Sequence, residues 1–174
     1  MSKDPKTLDE LFHDTLKDIN FAEKKILNFA EKKILATLPK MAKAAQNDDL
    51  KAAFEKHRDE TVGQVERLDQ VFAIIDKKPQ GKTCAAIVGI TEEGAEIMQE
   101  YKGSPALDAG LLAAAQAVEH YEISRYGTLR TWAEELGHTD AASLFQETLD
   151  EEEATDRALT QIAKTAVNQE AEAA

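Results

Sequence analysis

The chain has few of the residues that break helices or cross-link loops. Its 174 residues include one cysteine, 4 prolines, 8 glycines and only 6% aromatic side chains. The lone Cys84 excludes an internal disulfide and suits a reducing compartment. Because the remaining composition is rich in Ala, Glu, Lys and Leu, it favours helix over strand. We therefore expect an all-helical protein.

Long apolar runs and an excess of positive charge are also missing. No stretch is apolar enough to span a bilayer, and the start shows no charged-apolar-small signal segment, so we expect a cytoplasmic protein without a membrane partner. The net charge of -12 argues against binding nucleic acid, because phosphate contacts need clustered Lys and Arg. The length suits one domain over residues 1–174.

A tandem repeat is the most unusual feature of the sequence. The octapeptide NFAEKKIL occupies residues 20–27 and again residues 28–35. Eight residues turn a helix by roughly 800°, so an uninterrupted helix would rotate its two halves by about 80° relative to each other. The stripe that faces a core can therefore continue through one copy only, and Glu23 and Glu31 compete for one position.

Turn and capping signals divide the chain into helices. A Thr-x-x-Glu capping box at Thr7 and Glu10 opens the first helix, which Pro39 should bend. Asn47, Asp48 and Asp49 stop that helix and cap the second one. The predicted helices cover residues 7–45, 48–76, 83–101, 105–136 and 140–166. The short third one carries the crossover between two hairpins. This plan predicts a ferritin-like four-helix bundle with a short fifth helix in its crossover.

Each long helix carries candidate metal ligands at helical spacing. A bundle that turns one such face of each helix inward can hold two metal ions, because the carboxylates balance the cationic charge in a low-dielectric core. The candidates are Glu23 or Glu31, His57, Glu60, Glu119, Glu122, Glu147 and Glu151. In a chain with 33 acidic residues, solvated and ion-paired faces are the alternative explanation. Glu119 and Glu122 are better placed, since their stripe continues through apolar neighbours.

These residues resemble a known family. The stretches DINFAEKKIL (18–27), ATLPKMA (36–42), HRDET (57–61), QVERL (64–68), GKTC (81–84), VEHYEI (118–123) and QETLDEE (146–152) are similar to the bacterial YciE/YciF proteins of the ferritin-like superfamily. Two departures are visible. The family-like first helix contains the octapeptide once, and the second and fourth long helices lack the Glu-x-x-His of ferritins and rubrerythrins.

The resemblance implies a homodimeric, stress-linked protein with a di-iron carboxylate centre. Together with the ligand pattern, it leads to the hypothesis of a protein with two Fe ions per chain, or Mn, that acts on dioxygen or peroxide as an oxidase, a ferroxidase or a peroxide-handling protein. Two other readings remain open at this point. One is a metal-free helical stress or scaffold protein, in which the carboxylates are solvated or paired. The other concerns origin, since the tandem duplication is either natural or engineered as a test of how a helix absorbs an insertion.

The two octapeptide copies give two alternatives for the ligand in the first helix. A continuous helix upstream of Pro39 favours Glu31, because neither Gly nor Pro interrupts residues 20–35. The other alternative keeps Glu23 inside and extrudes residues 28–35, which holds both ends of the helix in register. We prefer Glu31 on sequence grounds, and the identity of the copies prevents a firm choice.

Overall fold

A computed structural model describes residues 5–27 and 37–173, and within these ranges the protein is helical and contains no strand. The helices are α1 (Leu8–Leu27), α2 (Thr37–Ala44), α3 (Asp48–Ile74), α4 (Ala85–Glu100), α5 (Leu107–Glu135), α6 (Thr139–Ile162) and α7 (Asn168–Glu172). A π-helical turn, Ala163–Val167, joins α6 to α7. None of the helices in the described ranges combines the length and the apolar character needed to cross a membrane.

Side-chain caps begin the first and third helices where the sequence predicts them. The Thr7 amide donates to Glu10 Oε2 at 2.8 Å, and the Glu10 amide donates to Thr7 Oγ1 at 3.2 Å, which confirms the capping box. At α3, the Asn47 side chain accepts from the amides of Asp49 and Leu50 at 3.0 and 3.1 Å. Gly137 ends α5 with a φ of 79°, a conformation that glycine adopts without strain.

Four long helices form the bundle. Helix α1 packs on α3 and α5, and α6 packs on the same two helices, while α4 packs on α5 and forms the crossover. Large apolar side chains from all four helices fill the interior, including Phe12, Leu16, Phe54, Leu68, Leu111, Leu129 and Phe145. The fold is therefore the predicted all-α, ferritin-like four-helix bundle with a short helix in its crossover.

The structure describes the first predicted helix, over residues 7–45, in two parts, α1 and α2. Cα atoms of α1 and α2 approach within 8 Å of each other. One straight helix would place Leu27 and Thr37 about 15 Å apart along its axis. Helices α1 and α2 are therefore not a single straight helix. The physical reason is the register of the core, because an eight-residue insertion would rotate one half away from it.

Burial shows how the core register is preserved across the repeat. Among the side chains whose burial is described, Ile26 is the last buried one in α1, and Leu38, Met41 and Ala45 are the next buried ones along the chain. If the eight residues of one octapeptide copy are left out of the count, Leu38, Met41 and Ala45 fall four, seven and eleven positions after Ile26. These are the spacings of residues on one helical face. Helices α1 and α2 thus present one stripe to the core, with the spacing expected if the chain contained the octapeptide only once.

Pro39 lies in α2, two residues after the first position that the structure describes there. The residues immediately before Thr37 lie outside the described part of the chain, so the bend expected at Pro39 stays a prediction.

Deletion of residues 28–35 should leave the bundle intact, with a melting temperature equal to or higher than that of the full chain. The deletion joins the buried stripes of α1 and α2 directly, and it removes chain whose ordering or closure has an entropic cost. Thermal unfolding followed by circular dichroism measures the effect. A melting temperature several degrees lower would contradict this account of the register.

Candidate metal centre

Four ionisable side chains meet in the middle of the bundle. His57 of α3, Glu119 and Glu122 of α5, and Glu152 of α6 each offer one ligand atom, and these atoms all lie within 4.8 Å of one another. His57 Nε2 is 3.4 Å from Glu119 Oε1 and 3.9 Å from Glu152 Oε2. None of the four residues is more than 2% exposed. The group, here called the four-residue cluster, is enclosed by protein.

Helical periodicity explains why α5 supplies two members. Glu119 and Glu122 are three residues apart and therefore share one helical face. The same face carries Ala115, Val118 and Leu129, which are also buried. Their apolar side chains hold this face of α5 against the core and carry both carboxylates inward with it. The inward position that the sequence stripe predicted for Glu119 and Glu122 is confirmed.

Glu23 brings a fourth carboxylate from α1. It is completely buried, and the phenol of Tyr126 on α5 donates a hydrogen bond to its Oε1 atom. Glu23 lies outside the four-residue cluster, yet the carboxylate charge of Glu152 contributes to the shift of its pKa. Burial, followed by the charges of Glu23 and Glu122, raises the pKa of Tyr126 well above its usual range, so the phenol keeps the proton that it donates.

Many polar atoms of these side chains have no hydrogen-bond partner among the described residues. They are both carboxylate oxygens of Glu122 and Glu152, the Oε2 atoms of Glu23 and Glu119, and both ring nitrogens of His57. Buried polar atoms are normally paired, because desolvation without a partner is costly. Metal coordination would satisfy these atoms together, since carboxylate oxygens and imidazole nitrogens are common ligands of transition metals.

The electrostatics of the site favour uncharged side chains in the absence of a cation. Burial, and then neighbouring carboxylates, raise the pKa values of Glu23, Glu119 and Glu122 well above the usual range. Burial also raises the pKa of Glu152 to about 7. For His57, burial lowers the pKa to about 4, so its imidazole is neutral at pH 7 and its nitrogens are available as ligands.

Charge balance suggests how many ions the site suits. Four buried carboxylates carry a formal charge of -4 when ionised, and His57 is neutral. Two divalent cations would cancel that charge, whereas one would leave two negative charges in a low-dielectric interior. The donor set of carboxylates with one imidazole suits iron or manganese, which accept oxygen and nitrogen ligands. These residues therefore fit the metal that the ferritin-like fold implies.

Two predicted ligands from α6 lie outside the four-residue cluster. Glu147 is exposed on the surface. Glu151 is half-buried, and its carboxylate pairs with the Arg67 guanidinium and accepts from Gln64 Nε2 at 3.2 Å. These partners occupy Glu151 at the edge of the site. The member of α6 that does enter the cluster is Glu152, which the sequence analysis did not select.

A signal for Glu152 was present in the sequence. The residue is seven positions after Phe145 and seven before Leu159, and all three are buried. Two turns of helix take about seven residues, so these positions share one face. The acidic run over residues 150–153 masked this relation, because four adjacent acidic side chains look alike without a register.

Two more predicted ligands, Glu60 and Glu31, are not part of the four-residue cluster. Glu60 is half-buried, and its carboxylate pairs with the exposed Lys56, although its Oε2 atom has no partner in the part of the chain that the structure describes. Glu31 lies outside the described residues. The preference for Glu31 over Glu23 therefore stays a prediction, while Glu23 is the copy observed in the core. A metal-binding role for any of these side chains is likewise a prediction.

The fold and the site together define a class. A four-helix bundle with one crossover helix and an interior cluster of Glu and His side chains is a ferritin-like helical-bundle protein. The family model described as "Domain of unknown function (DUF892)" matches residues 7–172, and the chain belongs to this family. It is 44% identical over 168 residues to Protein YciF of Escherichia coli strain K12, covering 96% of each chain.

Solved structures of other proteins have a similar fold. The crystal structure of the E. coli stress protein YciF has a TM-score of 0.85 and 43% identity, over 94% of this chain and 99% of that one. YcfI of Rhodopseudomonas palustris has a TM-score of 0.82 and 44% identity, over 92% and 97%. A Xanthomonas campestris protein, 18% identical over 95% and 97% with a TM-score of 0.70, shares the fold. The resemblance to the YciE/YciF proteins is confirmed.

The metal-free protein should lose stability as the pH rises from 6.5 to 8.5. A carboxyl group with a raised pKa in the folded state stabilises fully below its unfolded pKa, and this contribution disappears as the pH passes its folded pKa. Glu152, whose pKa burial raises to about 7, and Glu23, Glu119 and Glu122, whose pKa values burial raises well above the usual range, act in this direction. His57, whose pKa is lowered to about 4, has the opposite effect only below its unfolded pKa of 6.5.

Chemical unfolding of the chelator-treated protein across this pH range measures the trend. At pH 8, Glu152→Gln should be roughly 1–3 kcal/mol more stable than the wild type without metal, because it removes a carboxylate that must otherwise ionise in the core. Glu147→Gln, an exposed substitution in the same helix, is the matched control and should change little. A flat pH profile would contradict the electrostatic account.

Proposed function

We propose that this protein is a di-metal carboxylate protein that binds two iron or manganese ions per chain and acts as an oxidase, a ferroxidase or a peroxide-handling stress protein. One observation carries the proposal. Four fully buried carboxylates and a neutral imidazole converge with most of their ligand atoms unpaired within the described residues. A helical scaffold without ligands has no evident reason to bury such a group.

The proposed ligands are His57, Glu119, Glu122 and Glu152, together with Glu23 from α1. When bound, iron would supply the electrons that reduce dioxygen or peroxide, the chemistry that paired carboxylate-held metals perform in proteins of this fold. All five ligands lie on helices rather than loops, which favours a rigid site. Glu60 is a possible additional ligand at the rim, because one of its oxygens is buried without a described partner.

The protein's own residues would exchange protons at the site and exclude water from it. Without metal, the raised pKa values keep protons on the buried carboxyl groups, and cation binding releases those protons. Glu152, whose pKa is about 7, is the group that exchanges a proton most readily near neutral pH. The proposed ligands are buried, as are core residues such as Phe145 and Leu129, and exclusion of bulk water strengthens the electrostatic interactions inside the site.

The relatives support the biological setting of the proposal. The E. coli relative is described as a stress protein, and we propose a stress-linked role here on the strength of 43–44% identity over nearly the whole chain. A homodimeric state and a cytoplasmic location are parts of the same proposal, as implied by the family resemblance. The duplicated octapeptide leaves the proposed ligand set complete, because Glu23 already supplies the carboxylate from α1.

Anaerobic titration of the metal-free protein with Fe(II), and separately with Mn(II), tests the function. We expect two tightly bound ions per chain and, for iron, a ferric absorption after dioxygen or peroxide is added. Glu122→Ala should abolish tight loading, because it removes a fully buried ligand and its charge. Glu147→Ala, in an exposed position, is the control and should load like the wild type.

The outcomes separate the two leading functions. A well-folded wild-type protein that binds neither ion would favour the metal-free scaffold instead, with the carboxyl groups protonated in the core. Repeating the titration on the deletion of residues 28–35 then shows whether the duplication disables the site. Loading by the deletion protein alone would assign the failure to the extra copy. Wild-type loading by Glu122→Ala would refute the assigned site.

The two octapeptide copies provide a second, internally matched test. Glu23 is buried beside the cluster, so Glu23→Gln should weaken metal loading at least tenfold, since the variant loses one negative charge and an anionic ligand. Glu31→Gln makes the same change within an identical octapeptide and should leave loading unchanged. The same titration measures both variants. The reverse result, or a loss only in the double variant, would show that Glu31 can take the place of Glu23.

A further inference from the structure

Tyr126 connects α5 to Glu23 of α1. It follows Glu122 by one helical turn and is completely buried, and its phenol donates a hydrogen bond to Glu23 Oε1. Its ring packs against Phe145, with the ring centroids 6.2 Å apart. This packing restricts the ring, so the direction of the O–H group is set by the core. The hydrogen bond therefore spans two helices at the level of the candidate metal centre.

Hydrogen bonding distinguishes the two oxygens of the Glu23 carboxylate. Glu23 is completely buried, so bulk water does not pair with either oxygen. Among the described residues, the Tyr126 phenol is the hydrogen-bond partner recorded for its carboxylate, and Oε2 has none. One oxygen of the Glu23 carboxylate is thus hydrogen-bonded, and the other has no hydrogen-bond partner among the described residues.

We infer that Tyr126 is a positioning residue that selects the metal-binding oxygen of Glu23: the phenol holds Oε1, and Oε2 is the atom left for a bound cation. This inference rests on the proposed function. Side chains that hydrogen-bond to a metal ligand orient it, and their removal typically lowers metal affinity by 10–100-fold. A carboxylate released from the phenol would be free to rotate and to bind a cation through both oxygens.

The same helix offers a matched control. Tyr121 is five residues before Tyr126, and its phenol oxygen contacts Cys84 Sγ at 3.0 Å rather than a carboxylate of the site. Tyr121→Phe and Tyr126→Phe remove the same hydroxyl group from the same type of residue on one helix. Only the second substitution disturbs Glu23.

Co(II) is a suitable probe, because its visible absorption depends on the number and arrangement of its ligands. We expect Tyr126→Phe to bind Co(II) about tenfold or more weakly and to show an altered visible spectrum. Tyr121→Phe should match the wild type in both measurements. An unchanged spectrum for Tyr126→Phe would overturn the inference even if affinity fell, because the hydroxyl would then act through packing alone. Equal changes in the two variants would overturn it as well.

A measurement without metal keeps this test separate from the proposed function. Tyr126→Phe should lower the melting temperature of the metal-free protein in the wild-type background, but not in a Glu23→Met background that lacks the acceptor. Equal effects in both backgrounds would show that the phenol does not act through Glu23 and would overturn the inference. If the wild type binds no Co(II), the proposed function fails. This cycle then decides whether Tyr126 orients Glu23.

Discussion

The burial of four carboxylates in one layer is the constraint on which the rest of the structure depends. Glu23, Glu119, Glu122 and Glu152 come from three helices, and none is more than 1% exposed. Carboxylates without counter-charges are unstable in a protein interior, so the layer must hold protons or cations. The buried apolar core of the bundle supplies the free energy that makes this burial tolerable. The neutral imidazole of His57 completes the group without adding charge.

The same constraint explains how the bundle accommodates a duplicated segment. Helix α1 has to carry Glu23 to the level of Tyr126 while its apolar stripe stays against the core. Rotating that stripe into water would forfeit roughly 1.5–3 kcal/mol for each large apolar side chain. The departure of α1 and α2 from one straight helix avoids this loss, because Leu38 and Met41 continue the buried stripe to which Ile26 belongs. The core keeps its register, and the additional eight residues fall between two helices that both face it.

The extent to which the sequence predicts the candidate site differs from helix to helix. On α5, the buried neighbours of Glu119 and Glu122 form a regular apolar stripe, so their orientation followed from periodicity alone. On α3, His57 was a candidate by spacing, but its burial depends on how α3 packs on α6. On α6, four consecutive acidic residues gave no indication of which one faces the core. Glu151 was selected although it pairs with Arg67, and Glu152 was overlooked one position later.

By itself the sequence determined the helical class, the caps at Thr7 and Asn47, the crossover plan and the inward face of α5. Each of these depends on local composition, capping chemistry or a 3.6-residue period, all of which can be read from neighbouring residues. Only the tertiary structure decided that Glu23 is buried at the site and that Glu152 rather than Glu147 lies inside. Two identical octapeptides have identical local helix propensities. Adjacent glutamates on one helix differ only in the direction in which their side chains leave the helix axis. Contacts from other helices, such as that of Tyr126 with Glu23, are what distinguish them.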